Sequence, residues 1–88
     1  MPIVKGYILK NVGNDYMIIP TNSNNVSFDK IFNINETASV IYNKLKEDKD
    51  IDTIAFEMSQ IYNAKEDILK KDIIEFIEEL KKRGIYKD

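Results

Sequence analysis

A chain of 88 residues makes one small domain, and its 43% apolar content supports a core while its 32% charged residues nearly balance at net −2. At this length only about 60–65% of the unfolded surface is buried, which leaves no room for a deep catalytic cavity. Histidine and cysteine are both absent, which removes the side chain that titrates near neutrality, disulfides, thiolate chemistry and the usual zinc ligands.

No stretch approaches the roughly 18 apolar residues of a membrane span, and Met1 to Lys10 lacks a signal-type apolar core. The expectation is a soluble, cytoplasmic single domain over residues 1–88, with no catalytic residue, cofactor or metal of its own and no membrane partner.

In chain order, Tyr7 to Val12 is rich in β-formers, and Gly13-Asn14-Asp15 tolerates tight-turn conformations. Tyr16 to Pro20 follows as a second strand, ended by a proline that has no N–H for a ladder. The two runs predict a β-hairpin. Thr21 to Asn25 reads as a polar loop. Val26 to Asn33 then alternates, with Val26, Phe28, Lys30 and Phe32 on one face, and predicts a half-buried edge strand.

At Asn35 the period changes. Asn35 suits a helix N-cap, and Glu36 meets the positive end of the helix dipole. Ala38, Ile41, Tyr42 and Leu45 give the first helix an apolar face. Ile54, Ala55, Met58, Ile61 and Tyr62 do the same for a second, opening at Asp52 or Thr53.

The third and longest helix begins at Glu66 or Asp67 and runs to Arg83, where Gly84 stops it. Its apolar residues, Leu69, Ile73, Ile74, Phe76, Ile77 and Leu80, spread over about 160° at ~100° per residue. One-sided packing needs only about 100°. Either the helix is sandwiched, or one flank awaits a partner. Three strands followed by three helices predict an α+β fold of winged-helix-like architecture, with a three-stranded antiparallel sheet.

The polar residues offer little chemistry. Glu78 with Lys82 and Glu79 with Arg83 stand at the i, i+4 spacing of exposed helix pairs. Asp48, Asp50 and Asp52 alternate like part of a calcium loop, but its glycine and terminal glutamate are missing, and Asp50 to Asp52 reads as a helix start. The serines have no histidine to act as base. Winged-helix order invites a DNA-binding regulator, the main alternative reading. Against it, the second helix has no Lys or Arg between Thr53 and Tyr62 and the third carries six acids, whereas duplex binding needs basic charge facing phosphate. What remains is a peptide-binding module, in which an edge strand beside an apolar helix flank takes an added strand.

The residues Phe32-Asn33-Ile34-Asn35-Glu36-Thr37-Ala38, then Ile41-Tyr42 and Leu45, resemble the L-N-E-T-A-x-x-I-W-x-x-L signature of the PqqD-like family. Ile54-Ala55, Met58 and Tyr62 are similar to its I-A-x-x-L-x-x-x-Y segment. Asp72 to Leu80 with Gly84-Ile85 is similar to its D-V-x-x-F-L-x-x-L-x-x-x-G-L/I close. Tyr42 stands where the family usually has tryptophan, the Thr21–Asn25 loop is unusually rich in asparagine, and Phe56 falls opposite the apolar face of its helix.

The resemblance implies a recognition element for ribosomally made, post-translationally modified peptides (RiPPs). Its partners would be the leader of a precursor peptide and a tailoring enzyme such as a radical SAM protein, a cyclase or a leader peptidase. It places the leader between the third strand and the third helix. Phe28, Asp29, Lys30, Ile31 and Phe32 would then form the strand edge, and Leu69, Asp72, Ile73, Phe76 and Leu80 the helix wall. A naked strand edge also leaves pairing into a homodimer open.

Overall fold

Gly13 sets the first turn. At φ +62° it takes the left-handed conformation that a two-residue hairpin turn needs at its first central position. The computed structural model describes residues 2–21 and 30–88. The hairpin joins β1 (Tyr7–Val12) to β2 (Asp15–Pro20), in register from Tyr7 opposite Pro20 to Val12 opposite Asp15. A third strand, β3 (Phe32–Ile34), pairs antiparallel with β2, giving the sheet order β1-β2-β3.

Alternation divides this sheet into two faces. Ile18 and Phe32, which pair across the strands, are buried in the core, and Tyr7, Leu9 and Ile34 pack against it. Ile8 and Val12 are exposed on the opposite face. The expected strand from Val26 to Asn33 is shorter in its described part: β3 starts at Phe32, and Lys30 and Ile31 precede it outside any strand. Val26 to Asp29 lie outside the described residues.

Three helices cover the inner face: α1 (Glu36–Lys46), α2 (Ile51–Ile61) and α3 (Glu66–Lys82). Asn35 caps α1, its Oδ1 accepting from the Ala38 N–H at 2.8 Å. Asp50 caps α2, accepting from the Thr53 N–H at 2.8 Å, so this helix opens one residue earlier than its apolar spacing suggests. The Asp50 carboxyl is held below its ordinary range, first by that backbone hydrogen bond.

α3 closes on Gly84 at φ +75°. The Gly84 N–H donates to the Lys81 carbonyl at 3.1 Å and the Ile85 N–H to Leu80 at 2.9 Å, the paired bonds of a Schellman stop. Ile85 and Leu80 are both buried beneath it. The chain ends then meet. Ile3 bridges Tyr86, with Val4 N–H donating to Ile85 O at 2.7 Å and Lys87 N–H to Pro2 O at 2.8 Å.

Candidate functional site

The edge of the sheet and one flank of α3 come together at an aromatic contact. Phe32 on β3 stacks on Phe76 of α3 with centroids 6.1 Å apart and planes at 27°. Two helical turns further on, the Arg83 guanidinium lies 3.9 Å from the Phe32 ring centre. Phe76 and Arg83 are about 10 Å apart along the helix at 1.5 Å per residue, so the ring fits between them. Arg83 is steadied by its Nε–H, which donates to Glu79 Oε1 at 3.3 Å.

This contact fixes which flank of α3 faces the strand. At about 100° per residue, Asp72, Phe76, Glu79 and Arg83 lie on the β3 side of the buried stripe, and Lys70, Ile74 and Lys81 on the other. The broad apolar arc of α3 divides accordingly. Leu69, Ile73, Ile77 and Leu80 fill the core, Phe76 reaches β3, and Ile74 and Ile68 stay exposed.

The sequence-derived site residues therefore fall into distinct places. Phe32 forms the floor of the cleft at 9% exposure, Phe76 is partly buried beside it, and Asp72 is exposed on the same flank. Lys30 and Ile31 lie at its mouth, just before β3 begins. Leu69, Ile73 and Leu80 form no wall: at 4%, 0% and 0% exposure they are core residues under the cleft. Periodicity marks the apolar stripe of a helix, and the middle of a stripe is what packing buries most deeply. Phe28 and Asp29 lie outside the described residues. Sequence spacing marks Arg83 and Glu79 only as an exposed ion pair, yet the seven-residue step from Phe76 to Arg83 sets those two on one stripe.

A second depression of about 560 Å³ lies on the opposite flank of α3, between Leu45, Ile51, Ile74 and Tyr86. Its rim charges are spent on neighbours. Lys70 pairs with Asp52 at 2.9 Å, and Lys49 with Glu57 at 2.9 Å. Among the described residues no group of three or more acids is placed to hold a metal, and no helix is long and apolar enough to cross a membrane.

Residues 15–85 match the model of the family described as coenzyme PQQ synthesis protein D (PqqD). The chain belongs to the PqqD family. The sequence resemblance and the three-strand, three-helix order thus agree with the family match. Among solved structures, TbiB1 in complex with the TbiA(beta) leader peptide shares this PqqD-family fold at TM-score 0.77 and 15% identity, over 99% of this chain and 95% of that one. Lasso peptide synthetase B1 complexed with the leader peptide does so at TM-score 0.78 and 15% identity, over 98% and 95%. No curated protein matches the chain in sequence.

Proposed function

We propose that this PqqD-family chain is a non-catalytic recognition module for the leader of a ribosomally made precursor peptide. The leader adds as a strand to the outer edge of β3 and lies against the Phe76 flank of α3. So held, it is presented to a cytoplasmic peptide-modifying enzyme such as a radical SAM protein, a cyclase or a leader peptidase. Lys30, Ile31 and Phe32 serve the strand side, with Phe28 and Asp29 upstream of them, while Asp72 and Phe76 serve the helix side. Leu69, Ile73 and Leu80 support that wall from beneath.

The observation that carries this reading is positional. β3 ends the sheet beside an aromatic helix flank, in a fold shared end to end with two proteins solved with leader peptides bound. Strand addition uses main-chain hydrogen bonds for affinity and side-chain pockets for selectivity. The DNA-binding alternative gains nothing from the structure, since α2 carries no cation and Lys70 and Lys81 are paired with acids.

The test is a selection of random 15-residue peptides on the immobilised protein, followed by anisotropy titration of an enriched peptide. Ile31→Asp and Phe76→Ala should each weaken binding about tenfold or more with the circular dichroism still that of a folded chain. Phe56→Ser, on the exposed side of α2, should change nothing. Peptides indifferent to both cleft variants, or steeply salt-dependent binding to duplex DNA instead, would overturn the reading.

A further inference from the structure

We propose that Arg83 is an acid-reading subsite, so that the preferred peptide carries an aspartate or glutamate two residues from an apolar side chain. This inference rests on the β3–α3 cleft being the peptide site, and it specifies what that site selects.

The argument starts from how the guanidinium is held. Its central carbon lies 3.9 Å from the Phe32 ring centre, at stacking distance, and its Nε–H is taken by Glu79, while its two terminal nitrogens make no hydrogen bond among the described residues. Stacking occupies the face of a guanidinium and leaves its edge N–H groups free for a planar, two-point grip on a carboxylate. The group is therefore oriented before any ligand arrives, which lowers the entropy cost of binding. Glu79 takes only the Nε–H, which leaves the terminal N–H groups to a ligand.

Strand geometry supplies the spacing. Residues i and i+2 of an added strand share a face, and that face matches the one its neighbour turns inward. Phe32 and Ile34 both pack toward the helices, so a peptide residue beside Phe32 comes under Arg83 and the one two positions away comes beside Ile34. The first position suits a carboxylate and the second an apolar side chain. Further along the same flank the exposed Asp72 repels acids. Among the described residues on this flank of α3, Arg83 is the cation held against β3, which favours one register as well as one composition.

The same random 15-residue library, selected on wild-type, Arg83→Gln and Arg83→Lys proteins, tests this. Wild-type selection should enrich acid-x-apolar or apolar-x-acid, and Arg83→Gln should keep the apolar preference and lose the acid. Replacing the acid of an enriched peptide by its amide should cost wild type roughly tenfold in affinity and Arg83→Gln less than about twofold. Arg83→Lys should fall between, having charge without the flat fork. Enriched peptides without an acidic preference, or an acid preference that survives in Arg83→Gln, would overturn the subsite while leaving the cleft standing. Enriched peptides insensitive to Ile31→Asp and Phe76→Ala would remove the cleft and the subsite together.

Discussion

Tyr42 is wholly buried on α1, and its hydroxyl has no hydrogen-bond partner among the described residues. Burial, followed by the nearby Tyr7, pushes its ionisation upward, so the group stays a neutral phenol whose desolvation is uncompensated. Removing such an oxygen at constant shape relieves that cost. Tyr42→Phe should therefore match or exceed the wild type, by up to about 1 kcal/mol in urea unfolding; a clear loss would mean the hydroxyl has a partner after all. Asp48 is a second local cost. It sits at φ +65° just beyond α1, with its N–H donating to Leu45 and that of Lys49 to Lys44, the place where glycine normally ends a helix. Asp48→Gly should raise the urea midpoint by the equivalent of about 0.5–1 kcal/mol, and an unchanged or lower midpoint would contradict the strain. The alternating acids thus have separate work: Asp48 turns the chain, Asp50 caps α2, and Asp52 pairs with Lys70.

Between elements, α1 and α2 are clipped by one carboxylate. Glu57 Oε1 accepts from Lys44 at 2.9 Å and Lys49 at 2.9 Å. Those hydrogen bonds, Lys44 first, hold the Glu57 carboxyl below its ordinary range, and the Glu57 bond raises the Lys49 ammonium. A lowered carboxyl contributes stability above the ordinary glutamate range, near pH 4.3, and loses it as pH falls through the folded value. The raised lysine contributes below its ordinary range and loses that only in strong alkali. Unfolding midpoints of wild type and Glu57→Gln should accordingly differ at neutral pH and converge in acid; a gap that persists at about pH 3 would mean packing, not charge, holds the clip. Most of this level was legible in the sequence. The hairpin has its turn glycine and terminal proline, α1 its start residue Asn35 and α3 its stop residue Gly84. What eluded sequence reading was depth. Periodicity gives Leu69, Ile73, Phe76 and Leu80 one shared stripe, but only the position of β3 leaves Phe76 at its edge and sends the others inside. The start of β3 was equally obscure, because alternation runs on through Lys30 and Ile31 while the described pairing with β2 begins at Phe32.

For the molecule as a whole, the meeting of its two ends is part of the core. Ile3 and Ile85 are buried there at 6% and 2% exposure. Lys81 holds the same segment from outside, with its Nζ 5.5 Å from the Tyr86 ring centre and 3.3 Å from an Asp88 carboxylate oxygen. Ile85→Ala should cost about 2–4 kcal/mol, lowering the melting temperature by roughly 4–8 °C for each of them. A loss of under about 0.5 kcal/mol, the scale of a surface change, would show the clasp to be ornamental. The clasp also has a direction. Because Ile3 and Tyr86 pair antiparallel, both chain ends leave from the same side, and tension applied to them loads the Lys87–Pro2 bond first and the Val4–Ile85 bond only after it. Pulled this way the clasp opens one hydrogen bond at a time, so it resists tension far less than it would if the two segments were loaded in shear.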